Sequence, residues 1–378
     1  MQNLTTLLLK LPRNTEITPE SAQTFLAALT QINGVSFFQK LMGARSQALA
    51  LEIILSNQQI KFAVTCETDL VPFVETQIQS NYPLVIIEKI LDPIFNTSFE
   101  VSSLVLRKGS YYPIKTFSGF TDVDPLASVL SVMAKGEPDK IAIVQYALES
   151  VGNGWQSGGQ RLAETGGGKK VSETGGTTYI VHPDASVIKE KISFPGFKVT
   201  IRVAANSKDI QKALLSSFGV FSRSDGNSFS IRRPGMFGKP KALRRLWERS
   251  LSDSQVLNIS ELATVWHLPS DKIKTSSIAW GTAVLSEPPE NLPTAEGKTE
   301  AEMQQINFFG KALYKNPEVT FGIKNRDRQR HIWTVGKTGT GKSTLIATMA
   351  VDDLKKGRGL AVIDPHGELC ETLMEYVP

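Results

Sequence analysis

Two cysteines, Cys66 and Cys370, are all that this chain of 378 residues contains, too few and too far apart for a disulfide framework or a zinc site. The four histidines, His182, His267, His331 and His366, have no metal-ligand spacing. No apolar run reaches the roughly 18–20 residues that a bilayer span needs. The opening stretch, 1–11, is too short and wrongly flanked for a signal peptide. No Ser-His-Asp set or carboxylate pair stands out as catalytic. These absences exclude a stapled secreted domain and a zinc hydrolase, and predict a cytoplasmic protein with no transmembrane segment of its own. What remains is ordinary globular composition, 41% hydrophobic and 21% charged, with room for two or three domains.

Charge is placed unevenly. The net charge is +5. Residues 232–249 hold seven basic side chains, Arg232, Arg233, Lys239, Lys241, Arg244, Arg245 and Arg249, against Glu248 alone. Residues 311–330 hold six, Lys311, Lys315, Lys324, Arg326, Arg328 and Arg330, against Glu318 and Asp327. A polyphosphate partner favours such strips, because each neutralised phosphate releases counterions. The first six residues of the first strip, Arg232 to Arg245, are therefore candidates to bind DNA; a solvated helix face would carry the same charges. The second strip runs into the segment before the glycine-rich loop described below. It is placed to meet nucleotide or a neighbouring subunit.

Periodicity gives a coarse map. Stretch 4–11 reads as a strand. Thr18 and Pro19 open a helix through about 32. Stretches 48–55 and 59–65 form a hairpin about Asn57-Gln58, 69–80 a helix and 84–90 a strand. The order strand–helix–strand returns at 197–203, 210–218 and 228–232. That parallel predicts an α+β N-terminal region built of duplicated ferredoxin-like sandwiches. Gly, Ser, Thr and Lys dominate 157–178, which reads as flexible. Pro288, Pro289 and Pro293 mark a second linker. The expected divisions are an α+β domain over 1–155, a flexible segment over 156–180, a second α+β domain with the basic helix over 181–285, a linker over 286–300, and the start of a P-loop domain over 301–378.

The chemistry concentrates at Gly336, Lys337, Thr338, Gly339, Thr340, Gly341, Lys342 and Ser343, a complete G-x-x-x-x-G-K-[ST] loop followed by Thr344. Its glycines let successive N–H groups turn inward as an anion nest at a helix N-terminus. Lys342 is positioned for the β- and γ-phosphates of ATP, and the Ser343 hydroxyl for Mg²⁺. The context fits: 331–335 is β-prone; Leu345, Ile346, Met349, Ala350 and Leu354 form a helical stripe; 360–363 reads as a buried parallel strand. Either Gly357 or Gly359 ends the helix. Asp364 follows the second strand. It is either a metal-shell aspartate or a strand-end turn in which Pro365 stops the strand and Glu368 opens a helix. Asp364 and Glu368 are the only candidates here for catalytic carboxylates.

"HIWTVGKTGTGKSTL" and "GLAVIDPHGEL" resemble the HerA/FtsK superfamily of motor ATPases, and within it the type IV secretion and conjugative DNA-transfer coupling ATPases. Phe308-Phe309-Gly310, the run Arg326 to His331 and "ISELATVWHLPS" at 259–270 carry the same likeness, which extends over about 256–378. The resemblance implies a RecA-like α/β fold for the P-loop domain, ATP with Mg²⁺, a hexameric ring, DNA as cargo, and membrane-embedded secretion partners that would hold the protein at the inner face of the membrane. A protein-secretion or pilus-assembly ATPase of the same superfamily, or a non-catalytic nucleotide-binding adaptor, are the alternatives. The family's Walker B strand, catalytic glutamate and arginine finger would lie past Pro378, 35 residues after Ser343. The expectation is therefore a fragment of a larger protein, without motor-like turnover of its own.

Overall fold

The computed structural model describes the chain apart from residues 1–2, 14, 33–47, 96, 122, 172–176, 254, 274, 276, 282–288, 290, 313–318, 338 and 378. The chain divides into two units, Met1–Val284 and Leu285–Pro378.

In the first unit, chain order gives β1 (Leu4–Lys10), helix Pro19–Leu29, β2 (Leu49–Ser56), β3 (Gln59–Glu67), helix Val71–Asn81 and β4 (Ile86–Ile90). The series then repeats in kind. It runs through β5 (Glu100–Leu106), helix Ala127–Met133, β6 (Ala142–Val151), an inserted hairpin of β7 (Gly168–Val171) and β8 (Thr177–Ile180), β9 (Gly196–Ala205), helix Lys208–Ser217 and β10 (Phe229–Arg232). A short strand, β11 (Gln255–Asn258), follows.

Nine of these strands make one sheet in the order β10-β5-β9-β6-β2-β3-β1-β4, with β11 beside β9. All its ladders are antiparallel. Numbered within each series, the strands lie fourth-first-third-second in both, the order of a split βαβ unit. The two series meet through their second strands, with Ala50 opposite Ala147 and Leu55 opposite Ala142.

This differs from the reading of separate α+β domains over 1–155 and 181–285. Both stretches contribute to one sheet. The glycine-rich segment between them is also largely regular, with a helix at Gly154–Thr165 before the hairpin; residues 172–176 lie outside the described residues. Glycine serves close packing there. A Cβ on Gly159 would stand 2.5 Å from Cγ2 of Ile192, and Trp155 stacks on Tyr111 with centroids 6.2 Å apart. The Asn57-Gln58 turn forms as its sequence suggests, with φ of 50° and 58°, the left-handed pair that a tight hairpin needs.

One face of the sheet carries the helices. Leu51, Ile53, Tyr146, Leu148, Val199 and Ile201 point into the main apolar core, against Phe25, Leu26, Val74, Leu130 and Leu214. At its centre lies the helix Ile259–Val265, every residue of it buried. A capping box starts it: the Asn258 side chain accepts from Glu261 N at 2.9 Å, and Glu261 accepts from Asn258 N at 2.9 Å. Glu261 also accepts from Ile114 N and from the buried ammonium of Lys191. Burial lowers the Lys191 pKa, and Glu261 offsets part of that shift. Tyr146 Oη donates to Val265 O at 2.7 Å, and Trp266 packs against Phe25. His267 sits just past this helix. It is buried, with Nδ1 2.8 Å from Ala263 O and Nε2 3.2 Å from Asp124.

The opposite face is apolar around Ile54, Ala63, Ile143 and Ala204, where Leu246 of the helix Lys239–Trp247 covers it. Beside that patch runs a buried polar chain. Glu52 on β2 accepts from Thr65 Oγ1 at 2.7 Å, Gln145 Nε2 at 2.8 Å and Arg249 Nε at 3.0 Å. Arg202 Nη1 donates to Gln145 Oε1 at 2.9 Å, and Arg249 also donates to Asp92. Burial opposes the charge on Arg249, but Glu52 and Asp92 more than offset it and raise its pKa. Arg249 holds this position with φ of 51°, a left-handed backbone unusual for a non-glycine residue.

Among the described residues, no helix is long and apolar enough to cross a membrane.

Removing one partner of a buried ion pair leaves the other charge stranded. Glu52→Ala should therefore destabilise the first unit by about 3–5 kcal/mol in urea unfolding, with the midpoint shifting and the slope unchanged. A loss under about 0.5 kcal/mol, the usual size of a surface change, would show that the network does not hold the sheet.

Candidate nucleotide-binding site

The second unit begins with a capping box at Thr299 and Glu302, which opens the short helix Glu300–Met303. An antiparallel hairpin follows, β12 (Ile306–Ala312) and β13 (Val319–Lys324), with a bulge between Phe308 and Gly310. After the one-turn helix Asn325–Arg328, the described residues up to the helix Lys342–Lys355 form no helix or strand. A last helix spans Glu368–Met374.

The glycine-rich loop has the backbone its sequence demands. Gly339 and Gly341 take φ of 81° and 88°, a region that favours glycine. Gly341 is the N-cap of the long helix, without any side-chain cap, so the first N–H groups of a 14-residue helix face the loop unclaimed by a side chain. At Gly336 a Cβ would stand 2.5 Å from Thr340 Oγ1, so a side chain there would push that hydroxyl off its bond to Lys337 O. Lys342, the first helical residue, folds back so that Nζ donates to Gly336 O at 2.8 Å and Lys337 O at 2.9 Å. Ser343 and Thr344 are exposed in the first turn. Thr338 lies outside the described residues. The donor set fits a phosphate chain: a nest of positive-φ amides, a helix N-terminus and one ammonium held at the loop. Ser343 supplies the hydroxyl suited to a phosphate-bound Mg²⁺.

What fixes this helix was not apparent from the motif. Asp353, four residues after Met349 on the buried stripe, accepts from Arg328 Nη1 at 2.8 Å and Nη2 at 2.6 Å, from Arg358 Nη1 at 2.9 Å and from Asn307 Nδ2 at 3.0 Å. Burial alone would raise the Asp353 carboxyl, but these donors hold it below the usual carboxylate range. Asn307 Nδ2 also donates to Met349 O at 2.8 Å. Lys356 Nζ donates to Ile306 O at 2.7 Å and lies 4.5 Å from the Phe308 ring centroid. The hairpin and the helix behind the glycine-rich loop are thus clamped together. The signal in the sequence was an aspartate on an otherwise apolar stripe.

Several sequence expectations change. The strands predicted at 331–335 and 360–363 are not formed. A strand exists only as a ladder, and no described residue pairs with either stretch. Their apolar side chains stand in solvent, Trp333 at 91% and Ile363 at 97% exposure. The two-stranded sheet of this unit is the antiparallel β12–β13 pair instead. Gly357, with φ of 67°, terminates the helix. Asp364 behaves as a turn: Oδ1 accepts from His366 N at 3.1 Å and Oδ2 from Leu369 N at 2.9 Å, and these amides lower its pKa. Glu368 lies exposed at the start of the helix that this turn leads into.

The basic strips are partly internal. Arg232 pairs with Asp253, Lys239 with Glu100 and Arg244 with Glu248, while Arg249 is buried on Glu52. Arg233, Lys241 and Arg245 have no ion pair among the described residues. In the second strip Arg328 belongs to the Asp353 clamp, and Lys315 lies outside the described residues.

Two family models match. Residues 2–281 match a family described as a domain of unknown function, DUF8128. Residues 308–376 match the central domain of helicase HerA. No curated protein matches the chain.

The clamp makes an acid prediction. A depressed folded pKa stabilises the folded state fully above the ordinary carboxylate value of about 4, and that contribution is lost as pH falls through the lowered value. Between about pH 7 and about pH 3, the wild-type second unit should therefore lose more stability than Asp353→Asn, which has no such proton to take up. Parallel losses of urea midpoint in the two proteins would show that Asp353 does not carry the linkage.

Proposed function

Because the chain belongs to the DUF8128 family and carries a HerA/FtsK-type P-loop ATPase domain behind it, we propose that it is the nucleotide-binding part of a ring-forming motor that couples ATP hydrolysis to DNA translocation. The observation that carries the reading is the glycine-rich loop, with its left-handed Gly339 and Gly341 at the uncapped N-terminus of Lys342–Lys355. Gly336, Lys337, Gly339, Thr340 and Gly341 bind the phosphates through backbone amides. The Lys342 ammonium leaves the carbonyls of Gly336 and Lys337 for the β- and γ-phosphates. Ser343 ligates Mg²⁺, which when bound neutralises phosphate charge. Thr338 and Thr344 complete the loop.

The HerA match and the resemblance to conjugative coupling ATPases support DNA as cargo and a hexameric ring as the working assembly. The repeated fourth-first-third-second order of the large sheet supports a duplicated ferredoxin-like origin for the region in front of the motor.

Lys342→Ala removes the charge facing the phosphates and keeps the amide nest. Affinity for a non-hydrolysable ATP analogue with Mg²⁺ should fall at least tenfold by calorimetry, about 1.4 kcal/mol or more. Equal affinities would end the nucleotide assignment. The cargo is tested separately: a DNA motor should bind single- or double-stranded DNA with an affinity that falls steeply with salt. DNA binding that is absent or insensitive to salt would favour a protein cargo.

A further inference from the structure

Residues 233–241 form a turn whose apolar tip no described residue covers. Met236 and Phe237 are 77% and 93% exposed, side by side in a single 3-10 turn. Gly238 N donates to Gly235 O at 2.8 Å to close that turn, and Pro234 and Pro240 stand on its two sides. The base is anchored at both ends. Arg232 ends β10, opposite Ser103 of β5, and the helix Lys239–Trp247 buries Leu246 against the sheet. The fold therefore presents two large apolar side chains on a fixed stalk.

The surroundings of the tip carry one sign of charge. Between 232 and 247 the chain has six basic residues and no acid. Arg233 and Lys241, on either side of the tip, have no ion pair among the described residues. Arg232, Lys239 and Arg244 pair with acids outside this stretch, through side chains 58%, 56% and 77% exposed. Surface pairs of that kind are weak and exchange readily for another anion.

We propose that this turn is a membrane-contact loop, in which Met236 and Phe237 enter the outer acyl region of an anionic bilayer while Arg233, Lys241 and their neighbours meet the headgroup phosphates. Basic charge alone would suit DNA phosphates equally well. The apolar pair favours lipid, because an acyl layer takes up both side chains at once while the flanking cations stay at headgroup level, whereas only Phe237 of the two carries a ring that could stack on a base. Stable attachment to a bilayer takes two signals, apolar insertion and a basic patch, and this turn holds both. The inference is independent of the nucleotide site.

The test is flotation of the full chain with vesicles of phosphatidylcholine alone and of phosphatidylcholine mixed equally with phosphatidylglycerol. The wild type should float with the anionic vesicles only. The double variant Met236→Ser, Phe237→Ser should lose at least tenfold in partition, with an unchanged thermal midpoint because both side chains are already in solvent. Arg233→Glu with Lys241→Glu should lose binding too. Failure of the wild type to float, or equal flotation of the wild type and the apolar variant, would overturn the proposal. So would an apolar variant that keeps its vesicle partition but loses affinity for a single-stranded oligonucleotide, which would make the turn a base-stacking surface.

Discussion

The large sheet depends on the seam where β2 meets β6. The two βαββαβ series share one apolar core on the helical face. Only this one ladder joins them within the sheet, and both strands are buried on both sides. The polar chain on the far face crosses the same seam. Glu52 comes from the first series, Gln145 and Arg202 from the second, and Arg249 from beyond both. A charge buried in this way is tolerated only when every partner is in place, so the network admits one register and one arrangement of the two halves. The helix Ile259–Val265 performs the same service on the opposite face, held by Tyr146 of β6 and by the Lys191–Glu261 pair.

The second unit uses a similar device at smaller scale. Asp353 gathers Arg328, Arg358 and Asn307, and so ties the helix that carries Lys342 to the β12–β13 hairpin. The loop itself makes few contacts. Its shape comes from glycine backbone and from the helix behind it, and that helix stands still because its far end is clamped. A helix clamped at its far end gives the loop a supported base.

The readable parts of the sequence were those where local chemistry decides. Gly339 and Gly341 announce left-handed turns. Asn57-Gln58 announces a hairpin. The two strand–helix–strand stretches ending in β4 and β10 showed clean enough patterns to reveal the parallel between the halves. The parts that stayed hidden depend on distant partners. β6 is apolar on both faces, with Val144, Tyr146 and Leu148 on the helical side and Ile143 and Ala147 sharing the far side with Gln145, so its alternation is blurred; Gln145 is satisfied by Glu52, Arg202 and the Leu246 carbonyl. In β5, Ser102 shares the core face with Leu104 and interrupts its apolar pattern. At 331–335 and 360–363 the opposite happened: apolar runs read as strands, but a run of β-prone residues is a strand only when another segment supplies the ladder.

The seam also sets an order of events during synthesis. The first four strands leave the ribosome with the edge of β2 open, and that edge stays bare until residue 151 has emerged. Glu52 waits longer, since its last cation arrives with Arg249, and the central helix later still. From the end of β2 at Ser56 until Val151 has emerged, the nascent chain carries an unpaired apolar edge with a carboxylate in its middle. That carboxylate is a gatekeeper: charged and unburied, it keeps the edge from pairing with a neighbouring chain until its own partners appear.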